Sequence, residues 1–458
     1  MKKFVKKFSD IINKMESTQI IVIGFAIIVV IGAILLSLPI STQNGQRIGF
    51  LDALFTSTSA VCVTGLVAVD TSTYWSFFGQ FIIIILIQIG GLGFMTMTTL
   101  FAMIIKKRIN LKERLLIQES LNQIDLSGLV KLTRYILLTT VLIEGTGALL
   151  LSTVFIPQFG VLKGIWYSIF HAISAFCNAG FDLMGEVSGP FSSLTYYVNN
   201  FTITITISLL IILGGIGFPV IIDIIKNKKI SKLSLHSKIV LFSTAILIVF
   251  GMLLILLLEY NNPKTLGKLG FGGKILASLF QSVTLRTAGF NTIDLSVMRE
   301  SSIFLMIIIM FIGASPASTG GGVKTTTIAT LVLTVKSFIF GKQDIEMCGR
   351  RISESTIKKS LGIFFIGITL FLIGTLIISI TDQGFNLLEV EFEVVSAIAT
   401  VGLSIGGSPN LSILGKIFIM IFMFVGRVGS LTIFMALASK GTKKNPTVRY
   451  PEGKIIVG

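Results

Sequence analysis

The sequence predicts an all-α polytopic membrane protein built from four repeats. Each repeat would hold a span, a short re-entrant helix and a second span, giving eight spans around a central pseudo-four-fold passage. Three observations carry this prediction: about eight long apolar runs, basic residues concentrated in alternate loops, and a glycine-centred turn recurring four times in phase.

The chain has 458 residues, 52% hydrophobic and 13% charged, with a mean hydropathy of +0.89. Soluble domains carry about 25% charged residues, so the polar coat needed in water is missing. The runs Ile20–Leu38, Phe77–Leu92, Ile136–Ile156 and Ile239–Leu258 approach or reach the ~20 residues that cross a hydrocarbon core. Ile203–Ile225, Ile303–Ile312, Leu361–Ile380 and Ile413–Val425 complete the set. Lys2, Lys3, Lys6 and Lys7 precede the first run, as in a secretory signal. That run is too long for a signal core and no small-residue cleavage site follows it, so it reads as a retained span.

The formal charge of +16 has a topological explanation. Of 38 Lys and Arg, 28 lie before the first run, between Lys106 and Arg134, Lys226 and Lys238, Lys336 and Lys359, and from Lys440 to Lys454. The intervening loops hold seven. The positive-inside rule therefore places both termini, and the loops near residues 120, 230 and 345, in the cytoplasm of a plasma (inner) membrane protein, and no nucleic-acid role is needed. Cys62, Cys177 and Cys348 cannot build a disulfide framework, and with only His171 and His236 no cluster has metal-ligand spacing.

The repeats align on Gly65, Gly180, Gly289 and Gly402, spaced 115, 109 and 113 residues apart. A dozen-residue amphipathic stretch, too short to span, precedes each: Gly49–Ala60, Gly164–Phe176, Lys274–Thr284 and Leu388–Ala399. A full-length apolar run is expected after each turn. A second small-residue landmark lies within those runs: Ile89–Phe94, Leu213–Phe218, Ile312–Ala317 and Val425–Gly429. Small residues there let a span bend or approach a neighbouring backbone. The expected organisation is a cytoplasmic segment 1–16, repeats over 17–110, 111–230, 231–345 and 346–440, and a cytoplasmic tail 441–458.

Non-helical backbone at membrane depth survives only where it is buried or lines water. Glycine permits turns whose carbonyls point inward, and a ring of carbonyls can replace the hydration shell of a monovalent cation. The candidate ion-pore lining is Cys62, Val63, Thr64 and Gly65; Cys177, Asn178, Ala179 and Gly180; Arg286, Thr287, Ala288 and Gly289; and Ala399, Thr400, Val401 and Gly402. Asp52, Asp70, Asp182, Glu186, Asp294, Asp382, Glu389, Glu391 and Glu393 fall on or near the outer face, where carboxylates concentrate cations. Each reads equally well as an ordinary loop acid. Cys62 and Cys177 read as small packed residues and His171 as a packed or hydrogen-bonded one.

The segment Gly313, Ala314, Ser315, Pro316, Ala317, Ser318, Thr319, Gly320, Gly321, Gly322, Val323, Lys324, Thr325, Thr326, Thr327 cannot be a regular helix, since Pro316 and three glycines interrupt it. It is expected to be an intramembrane loop under the turns. It lacks the spacing of a phosphate-binding loop. Arg427, mid-span among apolar residues, is costly unless it faces polar groups; it is expected to anchor the loop and to act as an electrostatic barrier. Arg286 is expected to pair with a carboxylate or carbonyls behind its turn, and Lys324 to be a cavity lysine. Glu144 is an intramembrane acid with no partner evident from sequence.

The span–helix–turn–span unit repeated four times, with Thr284-Leu-Arg-Thr-Ala-Gly-Phe-Asn291 in the third turn, resembles the Trk/Ktr/HKT superfamily of potassium transporters. The length and the ending Arg449-Tyr-Pro-Glu-Gly-Lys-Ile-Ile-Val-Gly458 resemble its KtrB-type membrane subunit. The resemblance implies potassium uptake through a carbonyl selectivity filter, with glycine rather than serine in the first turn favouring potassium over sodium. It also implies that loop 313–327 and Arg427 form the gate. The implied assembly is a homodimer in the lipid bilayer on a cytosolic RCK-type nucleotide-binding ring. The chain itself needs no cofactor: potassium is its substrate, sodium an activator, and ATP or ADP binds the partner. The competing readings are a Trk-like cation symporter or sodium-permeable relative and, remotely, an integral-membrane enzyme, for which no convergent acid/base or metal residues are found.

Overall fold

The computed structural model describes residues 17–93, 96, 129–342, 344–429 and 432–433. The terminal segments 1–16 and 441–458, the loop near residue 120 and the end of the first landmark lie outside these residues. The described chain is almost entirely helical, with one two-stranded hairpin, β1 (Glu346–Met347) and β2 (Arg350–Arg351).

Four helices are each long and apolar enough to cross a bilayer: α1 (Ser17–Leu36), α4 (Leu129–Phe159), α8 (Leu235–Glu259) and α12 (Glu354–Thr381). Their outward faces carry exposed Leu149, Leu257, Phe365 and Leu376. Contiguous exposed apolar surface of this kind is at home against lipid and unstable in water.

Each long helix is followed by a short one: α2 (Phe50–Cys62), α5 (Val161–Phe176), α9 (Phe271–Thr284) and α13 (Leu387–Ile398). These match the four amphipathic stretches within a few residues. Three open on a glycine, while α13 opens on a capping box in which Asn386 and Glu389 exchange side-chain and backbone bonds of 2.9 and 3.0 Å. Their aromatic side chains Phe55, Phe170, Phe280 and Phe392 are wholly buried. The short helices therefore occupy the interior and the long ones the periphery.

The helices after the turns correct the expectation of full-length runs. They are α3 (Phe77–Leu92), α6 (Phe201–Ile216), α10 (Glu300–Phe311) and α14 (Ile413–Val428). Sixteen residues rise only ~24 Å. Ser76, Asn200 and Ser412 start α3, α6 and α14 by accepting from the backbone N–H three residues on. These three helices stop at Gly93, Gly217 and Gly429, at φ +83°, +92° and +95°. The apolar run 203–225 is thus two helices. Gly217 leaves the helical region, Pro219 follows, and α7 (Phe218–Asn227) departs at 96° to α6. In the third repeat a loop replaces the stop, and the chain resumes as α11 (Thr325–Ile339).

Candidate functional site: a ring of four turns over an intramembrane loop

The C-terminal ends of α2, α5, α9 and α13 meet in the interior, and each runs directly into its glycine turn. Two residues before the glycine, Val63, Asn178, Thr287 and Thr400 all adopt left-handed backbone, at φ 54°, 58°, 66° and 52°. The glycines follow at φ 98°, 71°, 81° and 88°. Left-handed valine and threonine cost of order 1–3 kcal/mol each, so the surroundings must hold them. Thr64, Ala179 and Val401 donate their N–H groups to the carbonyls of Ser59, Ser174 and Ser396, each at 2.8 Å. Ser59 and Ser396 hydroxyls also accept from Gly65 and Gly402 N–H at 3.0 Å. Ser174 and Thr284 instead donate to Phe181 and Phe290 carbonyls, at 2.7 and 2.6 Å. One hydroxyl on each short helix thus braces its own turn.

The four turns close on one another in order. A methyl group built on Gly65 would meet the Ala179 carbonyl oxygen at 2.5 Å, one on Gly180 the Ala288 oxygen at 2.7 Å, and one on Gly289 the Val401 oxygen at 2.8 Å. On Gly402 it would collide with the Thr64 oxygen, completing the circle. The same methyls would fall 2.7–3.3 Å from the next glycine's Cα. Four glycines and four carbonyls therefore surround one narrow axis, with no room for any side chain at the glycine positions. On one side the ring opens into a funnel of about 420 Å³ lined by all four glycines, Asp70, Asp182 and Asp294.

The outer acids divide by role. Besides lining the funnel, Asp70 accepts from Ser72 and Thr73 N–H and, across to the second repeat, from Phe191 N–H at 2.9 Å. Asp52 pairs with Lys416 at 2.8 Å and Glu186 with Lys163. Asp382 accepts from Ser412 N–H at 2.6 Å, and Glu393 from Ser404 and Ser408. Most of the expected cation-gathering set ties loops together. His171 is a packed residue: Leu183 N–H donates to Nε2 at 3.2 Å, which leaves Nδ1–H to donate to the Tyr167 carbonyl at 2.7 Å.

The expected loop 313–327 is shorter at its end, because Thr325–Thr327 already form the first turn of α11, and loop 313–324 lies against the other side of the ring. Its ends are drawn together by a parallel bridge, Gly313 N–H donating to the Val323 carbonyl at 2.9 Å. Its middle is bonded to the break after α6: Ser315 and Thr319 N–H donate to Gly215 and Gly214 carbonyls at 3.0 and 3.2 Å, and Phe218 N–H donates to the Ala317 carbonyl at 3.0 Å. Three of the four left-handed residues touch it. The Thr319 hydroxyl stands 3.1 Å from Asn178 Oδ1 and from the Phe176 carbonyl, Gly321 N–H donates to Thr400 Oγ1 at 3.0 Å, and Gly320 sits against Thr287 Oγ1. The unlike residues at that position thus form the seat of the loop. Lys324 folds back on it, donating to Gly320 and Gly321 carbonyls at 2.7 and 3.3 Å. It is a loop clamp and only half-buried.

Arg427, on α14, donates to the Thr319 carbonyl of the loop and, with its other terminal nitrogen, to the Gly90 and Gly91 carbonyls of α3, the latter at 3.1 Å. A single guanidinium fork spans two elements from two separate nitrogens, where a lysine would offer one ammonium point. The landmark glycines make this geometry possible. A Cβ on Gly90, Gly214 or Gly426 would strike the Val61, Phe176 or Ile398 carbonyl, each four residues before its repeat's ring glycine.

Glu144 has partners that the sequence did not disclose. Its carboxylate accepts from Gln88 Nε2 at 3.2 Å and lies 3.9 Å from Cys177 Sγ, which also faces Gln88 Oε1 at 3.6 Å. Cys177 begins the second turn, so this buried group braces it from behind; Gln88, one of two glutamines inside the run 77–92, is the only sequence trace. The expectation for Arg286 is corrected. Its carbonyl accepts from Asn178 Nδ2 at 3.2 Å, but Nε and one terminal nitrogen have no hydrogen-bond partner among the described residues. No group of His, Cys, Asp and Glu that could hold a metal occurs among the described residues.

These features define a multi-pass membrane protein with a narrow carbonyl ring in its interior. The family model "Cation transport protein", TrkH, matches residues 2–445, and the chain belongs to that family of transporters, which are not enzymes. It is 41% identical to the potassium/sodium uptake protein NtpJ of Enterococcus hirae, over 100% of this chain and 99% of that protein. It is 43% identical to the Ktr system potassium uptake protein B of Bacillus subtilis, over 96% of each. In fold it is similar to the crystal structure of the potassium transporter TrkH from Vibrio parahaemolyticus, with a TM-score of 0.68 at 18% identity, covering 90% of this chain and 84% of that one.

Proposed function

We propose that this chain is the ion-translocating subunit of a Ktr-type potassium uptake system. It would cross the plasma membrane eight times in four repeats, both termini cytoplasmic. Gly65, Gly180, Gly289 and Gly402 with their preceding carbonyls form the filter, and loop 313–327 with Arg427 forms the gate. The observation that supports this reading best is the closed circle of glycine against carbonyl. It offers oxygen ligands to a desolvated monovalent cation and leaves no space for a larger solute. The named activities of the Bacillus subtilis and Enterococcus hirae relatives support potassium as the substrate. Homodimerisation, a cytosolic RCK ring that reads ATP or ADP, and sodium stimulation complete the proposal.

The name of the Enterococcus relative pairs potassium with sodium, so a sodium-permeable transporter is the second reading. Flux from liposomes containing the purified chain decides between them. Potassium flux exceeding sodium flux supports the filter, and equal flux of the two removes the selectivity claim.

A further inference from the structure

The loop between α7 and α8 and the hairpin β1–β2 enclose a second cavity, of about 550 Å³. Asn227, Ser231, Lys232, Lys238, Cys348 and Arg350 line it with Leu233 and Leu235, and no acid among the described residues does. Of the acids nearby, Asp223 and Asp344 are engaged elsewhere, and Glu346 on β1 stands opposite Arg351 in the hairpin register, outside the cavity lining. Asp223 accepts from Ser234 N–H at 3.0 Å and from Ser237 Oγ and Asn227 Nδ2, both at 2.5 Å. Asp344 pairs with Arg351 at 2.9 Å. Lys238 donates to the Ser231 carbonyl at 3.0 Å, while Lys232 and Arg350 have no carboxylate within ion-pair distance among the described residues. The hairpin presents the cavity wall by a two-residue turn, Cys348 and Gly349 at φ 52° and 72°. Three cations thus converge on one polar cavity whose lining, among the described residues, holds no acid.

The cavity's surroundings are those of a membrane boundary. Because α7 leaves α6 at 96°, it runs along the surface if α6 crosses the bilayer. It buries Phe218, Val220 and Ile221 and exposes Ile224 and Ile225 beside Lys226 and Lys228, the pattern of an interfacial helix. Its 25 residues make α8 ~37 Å long, beyond the ~30 Å core, so its first turn with Lys238 reaches the headgroup layer. The hairpin is tied to the end of α11 through Ser337 Oγ, which faces the Lys342 and Asp344 carbonyls at 3.2 and 3.0 Å. At that end Phe338, Ile339 and Phe340 stand exposed, Phe338 at 85%.

We propose that this cavity binds the phosphate headgroup of an anionic phospholipid of the cytoplasmic leaflet, with Lys232, Lys238 and Arg350 as its ligands. The neighbouring apolar surface distinguishes a lipid from a free phosphate, because the acyl chains then have somewhere to lie. The site joins the loop before α8 to the hairpin after α11, and α11 begins at Thr325, where the gate loop ends. An occupied site therefore fixes the far end of the gate helix. The cytoplasmic assignment rests on the topology proposed above.

Cys348 gives a direct readout, since it is exposed while Cys62 and Cys177 are buried. The purified full chain in detergent is alkylated with a maleimide, and modification of Cys348 is followed by mass spectrometry. Phosphatidylglycerol is expected to slow the reaction, and phosphatidylcholine is not. Each charge removed, in Lys232→Gln, Arg350→Gln and their double variant, should weaken protection about fivefold. Lys264→Gln, a basic residue outside the cavity, should leave it unchanged. Equal protection by phosphatidylcholine, by inorganic phosphate or by soluble glycerophosphoglycerol overturns the lipid assignment, as does protection by an acidic cytosolic protein alone. A membrane-impermeant maleimide on oriented vesicles tests the topology separately. Labelling from the outer side sinks the cytoplasmic placement without touching the detergent result.

Discussion

Arg427→Ala isolates the bond between the intramembrane loop and the rest of the molecule. The guanidinium reaches Thr319 on one side and Gly90 and Gly91 on the other, so the substitution cuts the only side-chain tether from α14 to the loop among the described residues. A hydrogen bond to a charged donor contributes ~1.5–3 kcal/mol. Thr319 keeps its N–H bond to Gly214 and its hydroxyl contacts with Phe176 and Asn178, so the loop should loosen without being expelled. If the loop obstructs the passage, a coupling of this size raises the unobstructed fraction by about 10- to 150-fold. The assay is potassium efflux from proteoliposomes, with circular dichroism and size exclusion to confirm the fold. Arg427→Lys keeps the positive charge but replaces the two-nitrogen fork by one ammonium, which weakens the bridge between the two elements, so it separates tether from barrier. A tether predicts that lysine conducts nearly as well as alanine, and a pure electrostatic barrier predicts that lysine stays near the parent. An Arg427→Ala protein that is folded and conducts at the parent rate would refute the reasoning altogether.

Further consequences follow from the ring and its supports. Gly402→Ala meets both a backbone penalty of ~1–2 kcal/mol at φ +88° and the Thr64 carbonyl; it should abolish selective flux. Gly189→Ala, at φ +99° with open space around it, shares only the backbone penalty, and its potassium-to-sodium flux ratio should match the parent's. Ser59→Ala removes the acceptor of Gly65 N–H and should cost ~1–3 kcal/mol, seen as a lower detergent melting temperature and a reduced flux ratio. Glu144→Gln keeps a partner for Gln88 and should melt near the parent. Glu144→Leu leaves Gln88 Nε2 without its acceptor and should cost ~1–3 kcal/mol. Equal losses in the two Glu144 variants would show that charge, not hydrogen bonding, holds that corner.

The contrast between what the sequence disclosed and what it hid follows from which atoms carry each feature. The ring glycines were legible because positive φ combined with close approach leaves glycine as the tolerable residue, and four such positions repeated in phase. The left-handed residues two positions earlier were not legible as such. Val63, Asn178, Thr287 and Thr400 share a backbone conformation that their side chains disfavour, enforced by N–H bonds to a serine or threonine on the preceding helix. Their difference from one another, visible in sequence, acquires a reason only with the loop in place, since Asn178, Thr287 and Thr400 meet different parts of it and Val63 meets none. The loop itself was announced by Pro316 and three glycines, and Arg427 by its cost in an apolar run. Their partners are main-chain carbonyls of Thr319, Gly90 and Gly91, which any residue type would supply. The same blindness explains the break after α6. The Gly-Gly-Ile-Gly landmark read as a place where one long span bends or packs closely, and Gly214 does pack that way. Gly217 instead ends the helix, and the Gly214 and Gly215 carbonyls that its absence of further turns leaves free become the loop's acceptors. Side-chain chemistry thus marks where this molecule departs from regular helix, and backbone chemistry decides what the departures bind.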